Sequence, residues 1–155
     1  MTARQAEIIE LIRKEVKPAL GCTEPIAVAL ATAKAMEIAE EKCALTPDEW
    51  RYSDGYSLRI EVSGNILKNG MGVGIPGTGM VGLHIAAALG AVCGKSSYGL
   101  EVLNDLNEKS IAQAKEMVEA KAVTVGLAET SHKLYVKAYV DVDGGHCASV
   151  VIQDN

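Results

Sequence analysis

The chain has 155 residues, 48% of them hydrophobic and 23% charged, which is the make-up of one ordinary globular domain and excludes a disordered segment. Its formal charge of -5 comes without any Lys/Arg cluster, so the electrostatic footprint of a nucleic-acid binder is missing. The most apolar run, Val81 to Cys93, is too short to span a bilayer and carries His84, and no basic segment leads into an apolar run at the start, so a cytosolic protein without membrane contact is expected.

Residues 4 to 17 place Ala6, Ile8, Ile9, Leu11, Ile12 and Val16 largely on one helical face, and Pro18 stops the pattern. From Glu24 a second helix is predicted, long and apolar on most faces near its start, running to the charges Glu40, Glu41 and Lys42. Thr46-Pro47-Asp48-Glu49 reads as a turn or a short helical piece, and Tyr52 to Gly55 as loop. Ser57 to Val62 alternates strictly, as a half-buried strand does. The glycines between Gly64 and Gly79, with Pro76 among them, predict a backbone-rich loop there, followed by an Ala-rich helix from Met80 to Cys93 that Gly94 ends. A further helix spans about Asn107 to Ala120, with Asn107 or Ser110 at its cap. Val123 to Ala128, Lys133 to Val142 and His146 to Ile152 read as strands, the last two joined by a turn at Asp143-Gly144-Gly145. The expected class is therefore α+β: a mostly antiparallel sheet of about four strands packed with helices, preceded by an N-terminal helical pair, in one domain covering residues 1–155.

The stretch richest in chemistry is Val16 to Ala31. Cys22 lies in a break between two helical patterns, where Pro18 and Gly21 stop the first and Thr23 and Pro25 start the second. With Thr23 as the N-cap, the unpaired amides and positive dipole end of the second helix lie beside the Cys22 sulfur and favour its thiolate, the form that attacks carbon or binds metal. Thr23 and Glu24 add a hydroxyl and an acid within one turn. Cys43, Cys93 and Cys147 sit in apolar or strand contexts and read as small core residues. No Cys-x-x-Cys spacing signals zinc or a disulfide framework, so free thiols are the default.

The glycine region gives weaker signals. Gly72 to Gly77 and Gly77 to Gly82 both match the dinucleotide-binding glycine pattern but lack the acid at the end of a following strand. Gly90 to Ser96 approaches a phosphate-binding loop but is one residue short. Close backbone packing is the plain account of these glycines; the functional account is an anion pocket, in which amides of Gly77, Thr78 and Gly79 at the start of the Met80 helix, with the Thr78 hydroxyl, hold a carboxylate or phosphate. His84 reads as a core histidine, and His132 and His146 as surface residues near hairpin ends.

Two stretches together, Pro18-Ala-Leu-Gly-Cys-Thr-Glu-Pro-Ile-Ala-Val-Ala29 and Ser63-Gly-Asn-Ile-Leu-Lys-Asn-Gly-Met-Gly-Val-Gly-Ile-Pro-Gly-Thr-Gly79, resemble the L-cysteine desulfidase family, also described as serine dehydratase alpha chain-like. The resemblance covers residues 5 to 155 and matches the N-terminal part of that family, whose members are more than twice as long. The second stretch resembles, more loosely, a segment of the bacterial iron–sulfur L-serine dehydratases. The resemblance implies a lyase that holds a [4Fe-4S] cluster and converts L-cysteine, or L-serine, to pyruvate, ammonia and sulfide, or water, without pyridoxal phosphate. It places Cys22 as a cluster ligand or the thiolate base. Asn65, Gly77, Thr78 and Gly79 would line the substrate pocket, an assignment that rests on their chemistry more than on the family.

The family's other cluster cysteines belong to a C-terminal half for which this sequence has no counterpart. The expectation is an N-terminal piece of a longer catalytic protein that by itself holds no intact cluster, turns over no substrate, and self-associates through exposed apolar surface. Two other readings remain open. One is an anion- or nucleotide-binding module built on residues 70–79; the other is a non-catalytic subunit whose partner supplies the catalytic half.

Overall fold

The computed structural model describes residues 2–7, 23–43, 56–75, 78–142 and 145–154, without the side chains of Thr23, Cys43, Tyr56 and His146. Residues 8–22, including Cys22 and most of the first expected helix, lie outside that description, as do the expected turn at Thr46, the loop before Tyr56, Pro76, Gly77, and Asp143-Gly144. Of the first helix, residues 3–7 are helical. Thr2 and Gln5 exchange side-chain bonds with each other's amides, at 2.9 and 3.1 Å, in the manner of a capping box.

Thr23–Cys43 forms helix α1. Alanine is the best helix former, and an Ala-rich segment offers little side-chain bulk, so α1 can bury nearly all of Ile26 to Ala33 while Lys34, Glu41 and Lys42 stay in water. Strand β1, Tyr56–Val62, enters the sheet next. The glycine-rich segment is not all loop: Gly64–Gly70 is a short helix, α2. Ser63 caps it, its Oγ accepting from the Ile66 amide at 3.4 Å, and Ile66 is buried. Gly70 is buried against Leu83, where a side chain would have no room. Burial and a cap thus override the low helix propensity of glycine.

Gly74–Ile75 (β2) and Met80–Val81 (β3) pair as a small antiparallel hairpin. Helix α3 is therefore shorter than expected: it runs Leu83–Cys93, with Gly82 as N-cap at φ 102. Met80 pairs with Ile75 in the hairpin and so cannot start it. Residues Ser96–Glu101 make a 3-10 helix kinked at Gly99. Helix α4, Glu108–Glu119, begins as expected: the Asn107 side chain accepts from the Ser110 amide at 2.9 Å and Ser110 Oγ accepts from the Asn107 amide at 3.0 Å. Strands β4 (Val123–Leu127), β5 (Tyr135–Val142) and β6 (Gly145–Gln153) complete the order.

The sheet runs β4-β1-β5-β6. β1 lies parallel to β4 and antiparallel to β5, and β5 is antiparallel to β6, so the α+β, mostly antiparallel arrangement expected from the sequence is what forms. Period-two alternation sends Leu58, Ile60, Val62, Val136, Ala138 and Val140 to one buried face. The other face carries Arg59, Glu61, Lys137, Tyr139 and Asp141. The core lies between the buried face and the helices: α1 packs on β5 and β6, and α3 on α4 and β4.

Helices α1 and α3 touch almost backbone to backbone. A Cβ on Gly90 would run into Thr32 Oγ1 and the Ala29 backbone, and one on Gly94 would lie 2.9 Å from Ala33 Cβ. The Thr32 hydroxyl lies 2.9 Å from the Ala87 carbonyl of α3 and 3.0 Å from the Ala29 carbonyl of its own helix, and donates between them. Glu37 accepts from the amide and hydroxyl of Ser96 at 3.0 and 2.6 Å. Ala29 meets Gly90, Ala33 meets Gly94 and Glu37 meets Ser96, so the two helices run in the same direction.

Candidate functional site

Parallel packing puts the beginnings of α1 and α3 side by side. At 1.5 Å per residue, Thr23 and Leu83 lie roughly 9 and 10 Å before the Ala29–Gly90 contact, so both helices start within about one turn of the same level. The end of the molecule they share follows from the sheet. Cys147, near the β5–β6 turn, lies 4.0 Å from the Ala39 carbonyl, so the last turn of α1 points to that turn and its first turn to the opposite end. At that opposite end β1 and β4 finish, at Val62 and Leu127, and β5 begins. Helix α2, which follows β1, touches α1 there. Two helix N-termini, each the positive end of a dipole, thus share the end of the sheet where its parallel strands terminate.

The expected site residues sit around this end as follows. Cys22 lies outside the described residues, immediately before α1, and Gly77 is outside them too. Thr23 opens α1, one position ahead of the expected helix start. Glu24 is half-buried in the first turn and Pro25 is buried. Asn65 is exposed in the first turn of α2. Gly79 is exposed at φ 68, a left-handed backbone that suits glycine.

Thr78 departs from expectation. Its hydroxyl donates to the Ile75 carbonyl at 2.7 Å and accepts from the Met80 amide at 3.0 Å, while its own amide bonds Ile75 at 3.2 Å. These groups hold the hairpin turn and are not aimed at a ligand. Nor do Thr78 and Gly79 stand at a helix start, because α3 begins at Leu83. The amides that do stand at a buried helix start belong to α3: Leu83 is fully buried, no side chain caps the helix, and its first turn holds no acid. His84 lies in that turn, half-buried.

The dinucleotide reading of the glycines meets a different topology. Gly82 leads into α3 from a two-residue strand of an antiparallel hairpin and not from a strand of the main sheet. A Cβ on Gly82 would stand 3.1 Å from the Met71 carbonyl, so close packing accounts for this glycine as it does for Gly70 and Gly90.

At the same end the structure adds a pair that has no local signal in the sequence. His132 Nδ1 lies 3.0 Å from Asp154 Oδ1, joining the approach to β5 with the residue after β6. His132 is half-buried, not the free surface residue expected.

The remaining cysteines bear on the iron–sulfur expectation. Cys93 is half-buried in the last turn of α3, where its thiol donates to the Leu89 carbonyl at 3.3 Å. Cys147 is disulfide-bonded, which corrects the expectation of free thiols throughout. Among the described residues no three His, Cys, Asp or Glu side chains converge on one point. The described residues by themselves supply no ligand set for an iron–sulfur cluster. Among them, too, no helix is long and apolar enough to cross a membrane.

No family model matches the chain, and no solved structure matches it significantly. Full-length relatives do. The chain is 52% identical over 136 residues to a UPF0597 protein of Parabacteroides distasonis, a match covering 88% of this chain and 29% of that protein. It is 48% identical to a UPF0597 protein of Shewanella pealeana, over 95% of this chain and 32% of the relative. A third, from Phocaeicola vulgatus, is 46% identical over 94% and 31% respectively. The chain spans about a third of the length of these relatives, and along nearly all of its own length it is similar to one part of UPF0597 proteins.

Proposed function

We propose that this chain carries part of the active site of a lyase acting on a small β-substituted amino acid, L-cysteine or L-serine. The observation that carries the reading is the side-by-side start of two helices, α1, which begins directly after Cys22 in sequence, and α3, whose first amides no side chain caps. Paired helix N-termini favour a carboxylate, such as that of an amino-acid substrate, and a neighbouring thiolate. The chain's own residues have two tasks in this scheme. The amides at the start of α3 hold the substrate carboxylate, and Cys22, with Thr23 and Glu24 beside it, supplies either the base that removes the α-proton or a ligand to a cofactor.

Loss of the α-proton to the base sends its electron pair into a new α,β double bond and expels hydrosulfide, or hydroxide that takes up a proton and leaves as water, from the β-carbon. The aminoacrylate so formed becomes an imine and hydrolyses to pyruvate and ammonia. A [4Fe-4S] cluster, as the resemblance implies, would need ligands from the rest of a UPF0597-length protein and would supply Lewis acidity toward the leaving group.

The test uses this chain in place of the matching segment of the full-length Parabacteroides distasonis protein, produced anaerobically and assayed for sulfide and pyruvate from L-cysteine and L-serine. Activity that falls by about 10²-fold or more in Cys22→Ala supports the role, in keeping with what a positioned proton-transfer group contributes. Unchanged activity removes Cys22 from the site. No sulfide or pyruvate, together with a thermal shift given by NAD or ATP, replaces the lyase by a nucleotide-binding module.

A further inference from the structure

Three of the six exposed large apolar side chains among the described residues group where the parallel strands end. Leu127, the last residue of β4, is 65% exposed, Val81 of β3 is 62% exposed, and Met71, just after α2, is 41% exposed. They frame one short region. Leu127 packs near Gly64 at the first turn of α2, Met71 follows its last turn, and the Met71 carbonyl approaches Gly82 beside Val81. The edge strand β4 adds to the same face. Its sequence, Val-Thr-Val-Gly-Leu, contains no Lys, no Pro and no other charge, the devices by which exposed edges are protected from pairing. Strand β6, the other edge, is paired through a bulge and lies under α1.

We propose that this end, comprising Met71, Val81, Leu127 and the β4 edge, docks polypeptide from the two-thirds of UPF0597 proteins that lies outside the match. The length of the relatives argues for that occupant. Each matched relative is about three times as long as the aligned segment, so a large amount of chain must pack somewhere. Grouped apolar side chains next to an uncharged strand edge are the surface that buries most favourably. Docking here would also bring the added chain to the starts of α1 and α3. Exposure, edge chemistry and relative length carry this docking whether or not the protein is a lyase.

Single cysteines introduced at Met71, Val81 and Leu127, and as controls at Leu100 and Val151, test it. Leu100 is 62% exposed in the 3-10 helix at the far end of the α1–α3 pair, and Val151 is 45% exposed on the outer sheet face. Alkylation of each site is followed by peptide mass spectrometry in this chain alone and in the full-length Parabacteroides distasonis protein carrying this chain as its matching segment. Docking predicts that the first three sites react at least about tenfold more slowly in the long protein, as at an interface core closed to water, while the controls keep their rates. Equal rates at all sites, or protection confined to the controls, overturns the proposal. So does protection of the three sites in the short chain alone that grows with its concentration, which would assign the face to a second copy. Amide exchange of β4 in the unsubstituted proteins tests the same point without any substitution: slowing in the long protein is expected, and no slowing counts against docking.

Discussion

The α1–α3 contact and the outer face of the sheet are specified in opposite ways. Between the helices, shape decides: Gly90 and Gly94 let the backbones approach, and Thr32 bridges the gap with one hydroxyl. On the sheet, charge decides loosely. Arg59 donates to Asp141 at 2.6 Å while its guanidinium stacks 4.0 Å from the centre of the Tyr139 ring, which Lys137 approaches at 4.7 Å. The hydrogen bond to Asp141 is the main reason the Arg59 guanidinium is held above its usual pKa, but Arg59 is half-exposed and the pair is screened. A close-packed contact has one solution; a solvated charge cluster has many.

Substitutions measure this difference. Gly90→Val places branched carbon where the Ala29 backbone and Thr32 stand, and backbone cannot rotate away. Destabilisation of about 3 kcal/mol or more is expected, read by urea unfolding as a large fall in midpoint. Thr32→Val keeps the shape and removes the donor to Ala87 and Ala29; a loss of about 1–2 kcal/mol is expected in the same assay. Asn107→Ala removes the cap of α4, and with it about 1 kcal/mol. Arg59→Met retains an apolar stem over Tyr139 and loses the ion pair, so a change within about 0.5 kcal/mol is expected, smaller still at high salt. If Arg59→Met proved as costly as Gly90→Val, the contrast between the two regions would be wrong.

What could be read from the sequence follows the same division. The strands of the sheet, the capped α4 and the long α1 are visible because alternation, a cap and a helical period are local signals. Gly64–Gly70 is not, because its glycine content argues against helix and the burial of Ile66 and Gly70, with the Ser63 cap, outweighs that preference. The start of α3 is misplaced because Met80 is paired by Gly74–Ile75, a contact no periodicity records. Gly90 gives no local sign of its role, which exists only because α1 lies against it. At the candidate site, sequence locates a helix start at Thr23 and Glu24 but not the second helix start beside it. The His132–Asp154 pair is invisible for the same reason: its members meet only when β5 and β6 pair.

The position of β1 also sets a schedule for folding. It is the first strand of the sheet in sequence, yet it lies between β4 and β5, so that Leu58 has Val123 on one side and Val140 on the other. Among the described strands of this sheet, β5 and β6 alone pair as neighbours in the chain. The earliest strand made must wait for nearly all of the later ones, and during synthesis its apolar face of Leu58, Ile60 and Val62 waits as well for α3, the later helix that packs on β1.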